Sequence, residues 1–325
     1  MTRVFFFKLL AAAAALLASG LPQAQTDFPV KPVRFIVPYV PGGLPDTMAR
    51  LVGQRLSETM GQQVIVENRP SAGGIQAAEH VARSAADGYT LLVADLGQTA
   101  INPALYPKPP YDTLRDFAPV SMLGTSPFFL AVHQSSGVAS LREFVALAKS
   151  RPGQLSYGSS GVGSPHHLAM ETLKARLGLD IVHVPYKGSG QSTPALLGGQ
   201  VPALFTVLPT VAAHVKSGVV RLLAVASPTR SNQASDVPTF DEMGVPDMVF
   251  LPSVSVLAPA RTPASIVERL SKEISHAVRH PDVVKRLEAL GIDPVGNTPG
   301  AYAEQLRKDI AFYAQAVKNS GAKLD

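Results

Sequence analysis

Short runs rich in β-branched residues alternate with longer helical patterns along most of this chain, and that alternation restricts its fold more than any other feature. Extended runs are expected at 33–39, 64–67, 90–94, 128–132, 155–157, 181–184, 203–207 and 220–226, with helices between them at 46–60, 74–83, 140–150, 165–177 and 211–217. This order predicts an α/β fold with mostly parallel sheets and right-handed crossovers. Ser140 and Glu143 form a capping box ahead of Phe144, Leu147 and Ala148. Beyond Pro259 the chain reads as nearly all helix. Thr262-Pro263 opens a helix with Ile266, Leu270, Ile274 and Val278 on one face, and Thr298-Pro299 opens another with Tyr302, Leu306, Ile310 and Tyr313.

Late helices with no strands of their own must cover a sheet made earlier. The expected arrangement is therefore two lobes, the first from residues 26–125 plus 252–325 and the second from 126–251. The length fits two domains. The chain then crosses between lobes near 121–126 and again near 251–257. Two crossings form a hinge that a ligand held between the lobes can close.

Two glycine- and serine-rich loops each stand between a predicted strand and a predicted helix. The first holds Gly42 and Gly43 ahead of Asp46, and the second runs Ser159-Ser-Gly-Val-Gly163 ahead of Ser164-Pro165. The N–H groups at a helix start have no helical partner and carry the positive end of the helix dipole. Glycine leaves such donors uncovered. Either loop alone is readable as an ordinary strand-to-helix turn. Together, in separate lobes, they are able to clamp one small anion.

The first residues point to export. Arg3 and Lys8 precede an unbroken Leu/Ala stretch at 9–18, followed by the small residues Ser19, Gly20 and Ala24. That is the order of a cleaved secretory signal peptide, expected to cover residues 1–25, and it places the mature chain in the periplasm. The sequence has no cysteine, which excludes a lipoprotein anchor and disulfides. Loss of Arg3 and Lys8 takes the formal charge from +5 to +3. The remaining charges are mixed along the chain, which argues against a nucleic-acid partner and suits an acidic small ligand.

No catalytic signature is present. Gly158-Ser-Ser-Gly161 lacks the Gly-x-Ser-x-Gly spacing of a nucleophile elbow. There is no Walker loop and no dinucleotide fingerprint, so no cofactor is expected. His166 and His167 have no acid spaced to join them. His276 and His280 stand four apart as a metal pair would, but they lack the Glu of the zinc-protease motif and suit the end of a helix, so no metal is expected.

A set of segments then resembles a known family. They are Pro32-Val-Arg-Phe-Ile-Val-Pro-Tyr39 with Gly42, Gly43 and Asp46; Val66-Glu-Asn-Arg-Pro70 with Gly73 and Gly74; and Asp87-Gly-Tyr-Thr-Leu-Leu92. Ile101-Asn-Pro-Ala-Leu-Tyr106, Tyr111-Asp112 and Asp116-Phe-Ala-Pro-Val120 follow. Later come Tyr157-Gly-Ser-Ser-Gly-Val-Gly-Ser164 with His167-Leu168, His183-Val-Pro-Tyr-Lys-Gly188, Gly198-Gly-Gln-Val201, Ala258-Pro259 and Leu290-Gly291. In this order and spacing the chain resembles the Bug-type periplasmic solute receptors of the tripartite tricarboxylate transporter system, over essentially its whole mature length.

The resemblance implies a two-lobed type II periplasmic-binding (Venus-flytrap) fold, with a small organic carboxylate between the lobes and membrane transporter subunits as partners. A non-catalytic monomer is expected. By position, the first lobe would contact the ligand through Tyr39, Gly42, Gly43, Leu44 and Asp46, and through Leu96, Gly97 and Gln98. The second would use Ser159, Ser160, Gly161, Ser164, Lys187 and Gly188. Asp46 also reads as the N-cap of its own helix, the three serines as caps, and Lys187 as a solvated loop lysine.

Two departures from the family pattern bear on the ligand. Thr206 and Val207 stand where an Asp often follows the strand at 203–205, so an acid able to pair with a ligand ammonium is missing. Ser253-Val-Ser-Val256 replaces an aromatic-rich segment. Both are expected near the variable end of the pocket. The rival readings are a solute sensor for a membrane signalling protein and an exported esterase using Ser160 with a histidine.

Overall fold

The computed structural model describes residues 28–322; the expected signal peptide lies outside them. The chain runs through β1 (Val33–Val37), α1 (Leu44–Met60), β2 (Val64–Asn68), α2 (Ile75–Ala82) and β3 (Thr90–Asp95). A π-helical turn at Gly97–Ile101 leads into the short α3 (Asn102–Leu105) and α4 (Thr113–Asp116), then β4 (Phe117–Thr125). Next come β5 (Phe128–His133), α5 (Leu141–Ser150), β6 (Ser156–Ser159), α6 (Pro165–Leu177), β7 (Val182–Pro185) and α7 (Ser189–Leu197). They are followed by β8 (Ala203–Val207), α8 (Leu208–Lys216), β9 (Val220–Val225) and β10 (Ser253–Pro259). The chain ends in α9 (Ala264–Val278), α10 (Pro281–Ala289), the short β11 (Asp293–Pro294) and α11 (Pro299–Ser320).

The strands form a six-stranded sheet ordered β11-β4-β10-β3-β1-β2 and a five-stranded sheet ordered β7-β6-β8-β5-β9. Both are mixed, where mostly parallel sheets were expected. The parallel strands are β2-β1-β3 and β7-β6-β8. β10 runs antiparallel to β3 and β4, and β5 runs antiparallel to β8 and β9. No described helix is long and apolar enough to cross a membrane.

Much of the two expected crossings is strand. β4 and β10 pair from Phe117 with Pro259 up to Thr125 with Ser253. Residues 126–127 then lead directly to β5, and residues 251–252 lie opposite them at the end of the longer 226–252 connection from β9. These connectors stay bonded to each other, because Ser126 N–H donates to Pro252 O at 2.8 Å and Phe128 N–H to Phe250 O at 3.1 Å. The expected hinge is thus a continuous two-stranded ribbon between the sheets.

Local chemistry explains the helix ends. Ser140 Oγ accepts the Glu143 N–H at 3.2 Å, and the Glu143 carboxylate reaches back to the Ala139 N–H at 2.7 Å. Thr298 caps α11 through the Ala301 N–H at 3.3 Å. α11 serves two cores. Tyr302 and Leu306 are buried with Ile36, Leu92 and Leu257 beside the first sheet. Tyr313, Ala316 and Val317 are buried with Leu168, Leu173, Phe205 and Phe250 beside the second.

Candidate functional site

Loops that leave the carboxyl ends of neighbouring parallel strands diverge where the strand order reverses, and a crevice opens there. β1 lies between β2 and β3, and β6 lies between β7 and β8. The expected contact residues all leave from those edges. Tyr39, Gly42, Gly43, Leu44 and Asp46 follow β1, and Leu96, Gly97 and Gln98 follow β3. Ser159 ends β6 ahead of Ser160, Gly161 and Ser164; Lys187 and Gly188 follow β7; Thr206 lies near the end of β8.

In the first lobe several of these residues hold the loops in place. Asp46 is the third residue of α1, not its cap, and the helix starts at Gly43 with no side-chain cap. The buried Asp46 carboxylate accepts from the Gly42 N–H at 2.9 Å, from Asn68 Nδ2 at 2.9 Å and from Arg50 Nε at 3.1 Å. Burial alone would raise its pKa, but these bonds outweigh burial and hold it below the usual carboxylate range. Gly42 takes φ +91°, which glycine tolerates, whereas Gly43 is extended at φ −73°.

Gln98 is buried and its amide is committed. Its Nε2 donates to Tyr39 Oη at 2.8 Å and to Gly73 O at 2.9 Å, while its Oε1 accepts the Asp95 N–H at 3.1 Å. The Tyr39 hydroxyl bonds the Asp95 carboxylate, which also accepts the Gly97 N–H at 2.8 Å. Burial raises the Asp95 pKa despite those donors. Sequence reasoning missed this Asp95–Tyr39–Gln98 lattice. Leu96 is a core residue, packed in the cluster that includes Phe128 and Tyr313.

The second lobe separates its serines by role. Ser159 is fully buried, and its hydroxyl accepts the Gly161 N–H at 3.1 Å while meeting His183 Nε2 at 2.6 Å. Ser164 caps α6 by accepting the His167 N–H at 3.3 Å. Ser160 is half-buried, and its hydroxyl lies 2.7 Å from His166 Nδ1. Gly188 (φ +104°) starts α7 with no side-chain cap, and Lys187 beside it is exposed. Thr206 is buried and its hydroxyl pairs with Thr210 at 2.8 Å.

The histidines form the backing of this loop. His167 stacks on His183 at 4.2 Å, His183 stacks on Tyr157 at 4.9 Å, and His167 Nδ1 accepts the Gly163 N–H at 3.1 Å. Burial lowers the pKa of His166 and of His183 to about 4 each, and lowers that of His167. A histidine depressed in the folded state contributes stability that is present above its unfolded pKa and lost as pH falls. For His183 that loss runs from the ordinary value of 6.5 down towards about 4. The wild type should therefore lose about 2–4 °C more Tm than His183→Gln between pH 6.5 and pH 4. Thermal melts of both proteins across that range check this; parallel curves would refute it.

The lobes meet beside the site. A methyl group on Gly163 would fall 2.4 Å from Leu105 of α3, so the loop after β6 rests on the first lobe. Gly291 faces Pro209 at the start of α8 in the same manner, at 2.3 Å. A cavity of about 520 Å³ lies between α11 and the ribbon, lined by Leu96, Met122, Leu251, Ser253, Asp309 and Phe312, so both the expected contact Leu96 and the departure at Ser253 face it. Among the described residues no three potential metal ligands cluster. His280 caps α10 rather than joining His276 on one helix.

Residues 48–321 match the receptor of the tripartite tricarboxylate transporter family. The chain belongs to that receptor family. Protein BugT of Bordetella pertussis is 38% identical over 304 residues, 93% of each chain. A solved R. palustris protein with adipate is 34% identical with a TM-score of 0.81, covering 91% of this chain and 100% of that one. MatC of Rhodopseudomonas palustris with bound malate is 33% identical with a TM-score of 0.77, covering 89% and 100%. This receptor thus has the two-domain α/β fold of periplasmic binding proteins, and its family is one of solute binding rather than catalysis.

Proposed function

We propose that this receptor is exported to the periplasm, closes on a small organic carboxylate, and passes it to membrane subunits of a tripartite tricarboxylate-type transporter. The observation that carries this reading is the pair of parallel-strand edges, one on each sheet, whose loops present helix starts. α1 begins at Gly43, α7 at Gly188 and α8 at Val207, each without a side-chain cap. Such starts favour an anion through backbone donors and the helix dipole together. Lys187 adds an exposed cation beside them with no ion pair among the described residues, whereas Arg50 and Lys174 are held by Asp46 and Glu171. Related receptors that bind adipate and malate support the carboxylate class.

In this reading the lobes are residues 26–125 with 252–325, and 126–251. The direct donors are the backbone around Gly43, Leu44 and Gly188 together with Ser160 and Lys187, while the Gly161 N–H is spent on Ser159. Tyr39, Asp46, Gln98, Ser159 and Ser164 shape the loops. Native mass spectrometry of the protein from a periplasmic fraction tests both export and ligand class. The expected mature chain starts between about residue 21 and residue 27, with a retained acid released on unfolding. A full-length product in the cytoplasm would defeat export. A protein that retains no acid, and that no mono- or dicarboxylate stabilises in a thermal-shift panel, would defeat the ligand class.

A further inference from the structure

We infer that His166 is a positioning residue for ligand selection: through its Nδ1–H it turns the Ser160 hydroxyl into a donor aimed at the ligand carboxylate. This rests on the carboxylate reading above and adds to it a residue that does not itself bind the ligand. His166 follows the Ser164 cap in the first turn of α6, and its ring lies against Phe128 with centroids 4.5 Å apart. That packing fixes the ring beside the loop. Its Nδ1 is 2.7 Å from Ser160 Oγ, and among the described residues Nε2 makes no hydrogen bond.

The chemistry follows from counting protons. A neutral imidazole has one donor and one acceptor nitrogen, and a hydroxyl has one proton. If Nδ1 accepts, the Ser160 proton is spent on the histidine and Ser160 offers only lone pairs to the cleft. A carboxylate would meet lone pairs there and be repelled. If Nδ1 carries the proton, it donates to Ser160 Oγ and the serine proton is free for the carboxylate. Only the second tautomer suits an anionic ligand. The withdrawn ring stays neutral at ordinary pH, because burial lowers its pKa to about 4, so the choice is one of tautomer and not of charge. Ser159 has no such freedom, since its buried hydroxyl is engaged with Gly161 and His183.

The test uses the mature protein with adipate as probe, and malate if adipate does not bind, read by calorimetric titration. His166→Ala should weaken binding by about 10-fold or more, a loss typical of a hydrogen bond to a charged group. His166→Asn, whose side-chain N–H donates from a similar position, should stay within about 3-fold of wild type. In a Ser160→Ala background, His166→Ala should add almost nothing, because its effect passes through Ser160. Long-range ¹H–¹⁵N spectra of the adipate complex, assigned by comparison with His166→Asn, should show His166 protonated at Nδ1 and bare at Nε2. These spectra use the wild-type ring, so they decide even if His166→Ala fails to fold.

An Nε2–H tautomer, full affinity in His166→Ala, or an additive loss in the double variant each overturns the positioning role while leaving the receptor reading intact. Full affinity in Ser160→Ala overturns the clamp itself; if neither acid binds, the titrations use the carboxylate that most stabilises the protein in the thermal-shift panel, and a panel with no such acid overturns the clamp as well.

Discussion

Gly74→Ala is expected to lower the melting temperature by about 4–20 °C and to weaken ligand binding at the same time. Gly74 is buried at φ +69°, where a side chain costs about 1–2 kcal/mol. Its new methyl group would also lie 2.6 Å from Pro38 Cβ and 2.7 Å from Gln98 Nε2. The proline ring cannot swing aside, so the strain passes to the backbone or to Gln98. Overpacking of this kind costs a further 1–3 kcal/mol or so. At roughly 2–4 °C per kcal/mol for a chain of this size, the range follows. The loss of affinity has the same origin, because Gln98 holds Tyr39 and Gly73 together. Calorimetric melts and a titration measure both. A variant with unchanged Tm would show that the loop relaxes freely at Gly74.

Ser160→Ala is expected to weaken carboxylate binding about 10–150-fold with little change in melting temperature. Its hydroxyl is half-buried, caps no helix, and among the described residues meets only His166. Removing it costs the fold the single bond to His166 and leaves an ionised oxygen of the ligand short of one donor. Hydrogen bonds to charged groups are worth about 1.5–3 kcal/mol, which sets that range. Ser164→Ala provides the contrast. Ser164 caps α6, so its loss should cost about 1 kcal/mol of stability, or roughly 2–4 °C. Its effect on affinity should be the smaller of the two. Titrations and melts of the two variants separate a donor from a cap. Equal losses of affinity would contradict the assignment.

The parallel strands and the edges they share were legible in the sequence because most are short β-branched runs flanked by turn residues, and β6 (Ser156-Tyr-Gly-Ser159) is marked by its glycine- and serine-rich loop. β4 and β10 were not. β4 contains Pro119, Ser121 and Gly124 and so lacks the apolar alternation of a half-buried strand, while β10 alternates only over Ser253-Val-Ser-Val256, a stretch too short to stand out. They are buried central strands whose small residues suit close packing; a methyl on Gly124 would lie 2.6 Å from Ile292. α7 was missed for a similar reason, since Ser189, Gly190, Gln191 and Pro194 give no helical stripe. At the site, sequence position placed the loops but not the roles. Asp46 with Asn68, Gln98 with Tyr39 and Ser159 with His183 are polar pairings across 22 to 59 residues, formed only once strands are neighbours. Such pairs have no period to detect.

α11 is fastened into two apolar cores by Tyr302 and Leu306 at one end and by Tyr313, Ala316 and Val317 at the other. Phe250, next to the second connector, meets both Phe312 and Tyr313 edge-on at 5.1 and 5.8 Å. Bending the ribbon therefore works against these contacts as well as against water. The free energy a ligand releases in the cleft is divided between gripping the acid and setting the angle between the lobes. Two receptors with identical clamp loops but different last helices would then bind the same acid with different strength. In the proposed reading, selectivity among acids belongs to the loops, while the overall strength of binding is set partly by a helix that packs behind Leu96 and is fastened into both cores.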